Sequence, residues 1–227
     1  IPFIYFSNDY EFAKKVLEIW KKKSNYTCEK IVYCERWFRN GKLHRDDNLP
    51  VVIFSWGEKH WYKKGKLRRD NDKPAIIYSN GNKYWYLHGK KCRGGGLPSF
   101  IGTNGRQEWT NDKGNYNREI DEPSLIDEKG IQTWYVDGSY DRVGGPAIIN
   151  PNGSTYWCRA SKYERPDENG VHMPAFIEIT GENGENVTKQ WYRNGVLHRD
   201  NDAPAVMTPT EWSWYNAGVG IRTLKIA

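Results

Sequence analysis

The stretch "WYRNGVLHRDNDAPAVM", residues 191–207, is one of three close copies of a single phrase. "WFRNGKLHRDDNLPVVI" occupies residues 37–53, and "WYKKGKLRRDNDKPAII" occupies residues 61–77. Each copy places a tryptophan, a turn glycine, an arginine, a proline and an aliphatic pair in the same order. Such self-similarity indicates stacked supersecondary units, each of which buries its apolar face against its neighbours. The phrase therefore decides the fold.

Two ladders mark the repeat along the chain. Tryptophans recur at intervals of 23 to 34 residues, at Trp37, Trp61, Trp85, Trp109, Trp134, Trp157, Trp191 and Trp214. A proline follows each of the first seven, at Pro50, Pro74, Pro98, Pro123, Pro146, Pro174 and Pro204. Each unit has one strand signal before a glycine turn and another beginning at the proline. We predict an all-β fold: an elongated antiparallel β-meander or solenoid of about seven and a half repeats of 23–24 residues.

Side-chain alternation along a strand predicts which face is packed. The residue after the proline is small in six of seven repeats, and the third residue after it is isoleucine in six of seven. We therefore expect the tryptophan and these two positions to form the packed face. The residue after the tryptophan and the second residue after the proline then share the opposite face. Because that face is also apolar, it is either covered by neighbouring side chains or open as a groove.

The ends of the array and its irregularities suggest a domain organisation. Residues 1–30 are predicted to be an N-terminal strand and a capping helix, with an amphipathic helix at residues 9–23. A basic membrane-surface helix is the alternative for that segment. Residues 31–227 are predicted to form one continuous repeat domain. Two polar insertions, at about residues 160–173 and 179–189, are expected to form loops, which either meet a partner or reflect sequence drift.

Composition and charge restrict the function. The net charge of +6 combines +11 in residues 1–113 with −5 in residues 114–227. The chain has no apolar run of about 20 residues and no secretory leader pattern. Its four cysteines, Cys28, Cys34, Cys92 and Cys158, lack the paired spacing of a zinc site. We expect a protein that is neither secreted nor transmembrane, with reduced thiols and without a metal or other cofactor. An intracellular location is then expected: a host cytoplasm or nucleus, or a virion if the protein is viral.

With these residues in view, the repeat resembles a MORN-type repeat. It is most similar to the variant with a W-Y-x-N-G-x-x-H-R-x-D-x-P-A phrase that is multiplied in large DNA viruses of amoebae. The similarity extends from Trp37 to about Gly218, but the histidine of the phrase is present only at His44 and His198. The resemblance implies an elongated β-solenoid with a scaffold or interaction role, in a viral protein. It implies no particular activity.

An arginine recurs eight residues after nearly every tryptophan, at Arg45, Arg69, Arg93, Arg118, Arg142, Arg165 and Arg199. A row of cations could follow phosphates or anionic lipid headgroups. The alternative is structural: each guanidinium stacks on an aromatic ring or binds turn carbonyls and a nearby acid. We favour the structural interpretation, because the arginine persists in the acidic half of the chain.

The basic half contains a candidate anion-binding stripe near successive hairpin turns, formed by Lys42, Lys64, Lys66, Arg68, Lys90 and Lys91. Tyr62 and Tyr86 lie nearby as candidate stacking surfaces for bases. The stripe predicts binding to nucleic acid or to anionic lipid; a merely solvated surface is the alternative. The opposite charges of the two halves would also suit self-association.

No pattern typical of an enzyme is found. The segment "RGGGLP" at residues 93–98 is a loosened turn rather than a phosphate loop, because no helix follows it. The acid pairs Asp167/Glu168 and Glu182/Glu185 lie in the insertions and give little support for a glycosidase. We therefore expect a non-catalytic scaffold that binds another protein and has no small-molecule substrate. Nucleic-acid or anionic-membrane binding is the second hypothesis, and carbohydrate binding is the third.

Overall fold

A computed structural model describes residues 26–31, 33–118 and 121–226 of the chain. These residues form an all-β structure of 28 strands without a helix, as the sequence predicted. The predicted capping helix at residues 9–23 lies outside the described residues. Within the described part, no helix has the length and apolar character needed to cross a membrane. The chain divides into two compact units, Ile1–Gly89 and Lys90–Ala227.

The first unit contains ten strands: β1 (Tyr26–Ile31), β2 (Cys34–Arg39), β3 (Lys42–Leu43), β4 (Val52–Phe54), β5 (Lys59–His60), β6 (Tyr62–Lys63), β7 (Lys66–Leu67), β8 (Ile76–Ile77), β9 (Lys83–Tyr84) and β10 (Tyr86–Leu87). Six of them pair in an antiparallel meander in the order β1–β2–β4–β5–β8–β9. Two hairpins, β2–β3 and β6–β7, project from this sheet. Each repeat thus contributes two strands to the meander and one hairpin.

The second unit contains β11 (Lys90–Lys91), β12 (Phe100–Ile101), β13 (Gln107–Glu108), β14 (Leu125–Ile126), β15 (Gln132–Thr133), β16 (Tyr135–Val136), β17 (Ser139–Tyr140), β18 (Ile148–Ile149), β19 (Thr155–Tyr156), β20 (Cys158–Arg159), β21 (Lys162–Tyr163), β22 (Phe176–Thr180), β23 (Asn186–Gln190), β24 (Tyr192–Arg193), β25 (Val196–Leu197), β26 (Val206–Met207), β27 (Glu211–Asn216) and β28 (Val219–Lys225). Its antiparallel meander runs β12–β13–β14–β15–β18–β19–β22–β23–β26–β27–β28. The hairpins are β16–β17, β20–β21 and β24–β25.

The hairpins form because their two central residues adopt positive φ. Asn40 and Gly41 have φ of 49° and 69°, and Lys64 and Gly65 have φ of 53° and 81°. Two successive left-handed residues match the twist of a two-residue hairpin, and glycine adopts that conformation without steric cost. The recurring turn glycine therefore fixes where each hairpin reverses.

The packing confirms one part of the expected face assignment and corrects another. The residue after each of the seven prolines of the ladder has a relative exposure of only 0 or 1%: Val51, Ala75, Ser99, Ser124, Ala147, Ala175 and Ala205. The second residue after the proline is also buried at Val52, Ile76 and Phe100. The third, expected in the core, is only partly buried, as at Ile53 and Ile77. In the last four repeats the second and the third residue are both partly buried.

The hairpins explain this exchange, because they pack over the face that the sequence left unassigned. In the first unit, Leu43 of a hairpin packs against the buried cluster of Cys34, Val51 and Val52. In the second unit, the ring of Tyr163 in a hairpin contacts Phe176 of the meander, with 5.8 Å between the centroids. This face is therefore covered and is not a groove. The isoleucine at the third position lies on the other face of the meander.

The prediction that both insertions form loops is wrong for the second insertion. Residues 179–189 mostly extend β22 and β23 to five residues each, whereas most other meander strands have two. Residues 160–173 contain the hairpin strand β21 and an isolated bridge between Glu168 and Val171. The latter segment ends at the buried His172, which is tied into the following repeat by a hydrogen bond to the carbonyl of Tyr192.

Candidate functional site

Six of the seven repeated arginines stack on the tryptophan of their own repeat. The guanidinium carbon lies 3.8 to 4.4 Å from the indole centroid in these six pairs: Arg45/Trp37, Arg69/Trp61, Arg118/Trp109, Arg142/Trp134, Arg165/Trp157 and Arg199/Trp191. Burial lowers the pKa of the guanidinium groups of Arg45, Arg69 and Arg199. A cation held flat against a ring and partly removed from water is stabilised by the ring quadrupole.

The same arginines also donate a hydrogen bond to the proline carbonyl of their own loop. The Nη1–O distances are 3.1 to 3.5 Å in all seven repeats: Arg45–Pro50, Arg69–Pro74, Arg93–Pro98, Arg118–Pro123, Arg142–Pro146, Arg165–Pro174 and Arg199–Pro204. The guanidinium thus closes the loop between the hairpin and the meander strand. Stacking and this hydrogen bond together give the arginine ladder a structural role, which is the interpretation favoured from the sequence.

The tryptophans connect one repeat to the next. The indole Nε1 donates to the carbonyl two residues before the preceding proline in five pairs: Trp61–Asn48, Trp85–Asp72, Trp109–Gly96, Trp191–His172 and Trp214–Asp202. Trp134 differs, because its buried Nε1 has no hydrogen-bond partner among the residues that the structure describes. Most rings are therefore held by an arginine of their own repeat, and five of them by a carbonyl of the previous one.

The structure adds an eighth stack that the sequence reasoning missed. Arg222 lies over Trp214 with 4.1 Å to the centroid. It also follows its tryptophan by eight residues, so the spacing was the signal that could have identified it. The eighth repeat had been considered truncated after its turn glycine. It in fact continues into the long strand β28.

Some loops before the proline also contain an ionic cluster. Asp70 accepts hydrogen bonds from Lys63 and Arg68, at 2.8 and 3.2 Å, which lower the pKa of its carboxyl group. Asp200 is bound in the same way by Arg193 and His198, which lower its pKa to about 2. These clusters join the hairpin to the loop that follows it.

The third repeat has three glycines where the second has Asp70, Asn71 and Asp72, and a large cleft lies beside them. The cleft has a volume of about 740 Å³ and is lined by Gly94, Gly95, Gly96, Cys92, Trp109 and Arg118, among others. The corresponding cleft beside Asp46 and Asn48 measures about 210 Å³. The difference in volume follows the loss of side chains in the glycine loop.

The candidate stripe divides into free and paired cations. Lys42, Lys64 and Lys66 are exposed hairpin residues of the first unit and form no ion pair among the described residues. Lys90, in the second unit, is also exposed and unpaired within the described part. Arg68 and Lys91 are different, since Arg68 is bound to Asp70 and Lys91 to Glu108.

The lowered pKa of Glu108 shows that its carboxylate interacts strongly with Lys91. Burial alone would raise the pKa of Glu108, but hydrogen bonds from Lys91 and Arg106 outweigh burial, and the pKa is lowered. Lys91 therefore neutralises a buried carboxylate. The two tyrosines considered for base stacking are also engaged: Tyr62 packs against the buried cluster, and burial raises the pKa of both Tyr62 and Tyr86.

The uncovered face of the second unit presents an almost uncharged row of side chains. Cross-strand partners follow one another without interruption through eleven strands: Ile101, Gln107, Ile126, Gln132, Ile149, Thr155, Ile177, Lys189, Met207, Trp212 and Leu224. We call this set the isoleucine row. Its four isoleucines are partly buried, and Lys189 is its one charged member.

The acid pairs in the insertions are partly neutralised. Asp167 pairs with Arg193 at 2.9 Å and Glu168 with Arg165 at 2.5 Å. Glu182 and Glu185 lie at the turn between β22 and β23. Within the described ranges, no group of three or more His, Cys, Asp or Glu side chains is arranged to hold a metal ion. Compared with models of known protein families and with curated proteins, the chain matches none.

Proposed function

We propose that this chain is a non-catalytic, MORN-like repeat scaffold that binds a partner protein through the isoleucine row of its second unit. The observation that carries the proposal is the unbroken register of that row across eleven strands. The resemblance to the repeat variant of large DNA viruses of amoebae makes a viral scaffold the specific form of the proposal.

The dimensions of the row suit a protein interface. Eleven strands at about 4.8 Å each give a row about 50 Å long, and a width of about 10 Å gives roughly 500 Å². The largest apolar patches on monomeric proteins cover roughly 300–600 Å² and are often functional. Aliphatic and uncharged polar side chains alternate from Ile101 to Ile177, and Met207, Trp212 and Leu224 beyond Lys189 are apolar. The row therefore resembles an interface core, which is depleted in charge.

The rest of the repeat supports a scaffold rather than a catalyst. Its recurring polar groups are engaged within the fold: arginines bind proline carbonyls, and indoles bind loop carbonyls. A catalytic group instead needs a side chain that is free to reach a substrate. Apart from Met207, whose sulfur lies 3.6 Å from the Nη1 of Arg199, the isoleucine row takes no part in these contacts of the arginines and the indoles.

The proposal is tested by affinity capture of partner proteins with a variant in which two isoleucines of the row are replaced by lysine. The double variant Ile126→Lys, Ile149→Lys places cations in the row, where lysine is already accommodated at Lys189. The control variant Val136→Lys, Val143→Lys makes the same change at valines that are 51% and 74% exposed and lie outside the row. Both variants should remain folded by circular dichroism.

Proteins captured by the native chain and by the control, but lost with the row variant, are the expected result. A bound protein so identified is then titrated against the purified variants, and its affinity should fall at least tenfold with the row variant only. Equal retention by both variants would contradict the proposed surface.

A further inference from the structure

We propose that the hairpin tips of the first unit bind the phosphate backbone of a nucleic acid through Lys42, Lys64 and Lys66. This site is separate from the isoleucine row and does not depend on the scaffold role. It concerns a different unit, a different layer of the fold and a different partner chemistry.

Successive hairpins of the first unit are hydrogen-bonded to one another through their backbones. The Gly65 amide donates to the carbonyl of Leu43 at 2.9 Å, and the Gly89 amide donates to the carbonyl of Leu67 at 3.1 Å. A Cβ built on Gly65 would lie 3.7 Å from the Cβ of Lys42. Each turn glycine thus lies against the lysine stem of the preceding hairpin, which holds these stems in a row.

Gly89, the turn glycine that follows β10, makes the same contact with the hairpin β6–β7. A Cβ built there would lie 3.7 Å from the Cβ of Lys66 and 4.0 Å from its Cδ. Lys42 and Lys66 therefore occupy equivalent positions on neighbouring hairpins, separated by one repeat of two strands, or about 10 Å. Lys64 lies in the turn between them, with a φ of 53°.

The ammonium groups of Lys42, Lys64 and Lys66 are not neutralised by a carboxylate among the described residues. Other cations of the same hairpins are paired: Arg39 with Asp46, and Lys63 and Arg68 with Asp70. Lys42, Lys64 and Lys66 are exposed and have no carboxylate partner among the residues that the structure describes. The fold thus uses one set of cations internally and leaves a second set at the tips.

The arrangement of these lysines indicates the chemical class of the ligand. A single file of ammonium groups suits a linear polyanion, and a duplex carries one phosphate charge per roughly 1.7 Å of its axis. Tyr62 packs against the buried cluster, so base stacking is not offered there. Membrane-surface binding needs an apolar face that enters the acyl region. Apart from Leu87, which is 41% exposed, the tips instead present Asn40, glycines, lysines and His88.

These contacts predict a particular dependence on salt. Three neutralised phosphates on duplex DNA give a slope of log K against log salt of about −2.7. Affinity should then fall about 40-fold between 50 and 200 mM salt. Because the lysines reach only the backbone, affinity should not depend on sequence.

The experiment uses the full chain and labelled duplex DNA of two unrelated sequences, titrated at several salt concentrations. The tip variant is Lys42→Gln, Lys64→Asn, Lys66→Gln, in which asparagine takes the turn position that it already holds at Asn40 and Asn194. The control is Lys59→Gln, Lys73→Asn, Lys83→Gln. It removes the same charge from exposed lysines of the same unit that lie away from the tips.

The tip variant is expected to lose at least tenfold in affinity at 50 mM salt and to reduce the slope by two to three units. The control should stay within about twofold of the native chain, and replacement of the three tip lysines by arginine should preserve binding. Thermal midpoints should be unchanged, since exposed charges contribute little to stability.

Three results would overturn the proposal: no DNA binding by the native chain at 50 mM salt, equal losses for the tip and control variants, or binding that requires vesicles. Vesicles with 30% phosphatidylserine form the separate arm. Attachment to them through the tip lysines, without DNA binding, would assign the surface to a membrane instead.

Discussion

The loop before Pro50 and the loop before Pro98 accept the same hydrogen bonds from arginine and tryptophan side chains, but the clefts beside them differ in volume. In both, the arginine donates to the proline carbonyl, at 3.1 Å from Arg45 and at 3.5 Å from Arg93. In both, the next tryptophan donates to the loop, at 3.0 Å from Trp61 and at 2.9 Å from Trp109. Yet the adjoining clefts measure about 210 and 740 Å³.

The difference separates the essential part of the repeat from its adjustable part. A hydrogen bond joins the His44 Nε2 atom to the Asp46 carboxylate at 3.0 Å in the first loop, whereas Cys92 and Gly94 occupy the equivalent positions in the other. The ring, the guanidinium and the carbonyl are retained, while this hydrogen bond and the filling side chains are lost. We infer that the first set holds the repeat together, and that the second set contributes little.

Loss of the ring is expected to have the largest effect, and an equal one at both loops. Trp61→Ala and Trp109→Ala should each lower the free energy of unfolding by about 3–5 kcal/mol, since both rings are buried. Urea denaturation measures this loss. Trp61→Phe, which keeps an aromatic ring but lacks the indole N–H, should lose less. A harmless Trp109→Ala would break the comparison.

Loss of the guanidinium should have the next largest effect. Arg69→Gln removes both the stack on Trp61 and the hydrogen bond to Pro74, and should lower the free energy of unfolding by about 1–3 kcal/mol. Arg118→Gln, beside the wide cleft, should match it. If only Arg69 matters, the arginine contacts are not equivalent in the two loops.

Two glycines of the wide loop should respond in opposite directions. A Cβ at Gly94 or at Gly95 meets no atom within 4 Å, but Gly95 has a φ of +71°. Gly94→Ala should therefore stabilise the protein by about 0.4–1 kcal/mol, because the unfolded chain loses freedom. Gly95→Ala should destabilise it by about 1 kcal/mol through left-handed strain. The same sign for both changes, in thermal unfolding, would contradict the loop geometry.

The ionic cluster should have the smallest effect, and one that depends on pH. The pKa of Asp200 is lowered to about 2, so its contribution is present above about pH 4 and is lost as the pH falls through 2. The Asp200 side chain is 43% exposed, so Asp200→Asn should lower the free energy of unfolding by less than about 1 kcal/mol at pH 7. Native and variant chains should become equally stable near pH 2. A pH-independent difference would refute this origin.

The sequence predicted the strand content, the antiparallel meander and the hairpins, because these follow from local signals of turn glycines and periodic prolines. It also predicted the fully buried residue after each proline. It failed at the third residue after the proline, because the covering of a face depends on how the hairpin folds back. That packing is set by contacts such as Leu43 with Val51 and Val52, which no periodicity shows.

The sequence predicted where the candidate stripe lies, but it did not predict which of its cations are paired with carboxylates. The partner of Lys91 is Glu108, 17 residues away, and only the meander brings the two together. Asp70 lies two residues from Arg68, but the sequence alone does not tell whether it pairs with Arg68 or with Lys63. Arg222 was missed although its spacing matches, because the eighth repeat was treated as ended.

The central claim is that arginines of the repeated phrase hold the fold whereas the tip lysines serve binding. It is tested most directly by two single variants of one repeat, Arg69→Gln and Lys66→Gln, which remove the same charge. Urea unfolding and duplex DNA titration at 50 mM salt are measured on both. The account predicts that Arg69→Gln lowers the free energy of unfolding by at least about 1 kcal/mol and leaves DNA affinity within twofold. Lys66→Gln should leave stability unchanged and weaken DNA binding about threefold or more. The reverse assignment, or equal effects on both quantities, would contradict the claim.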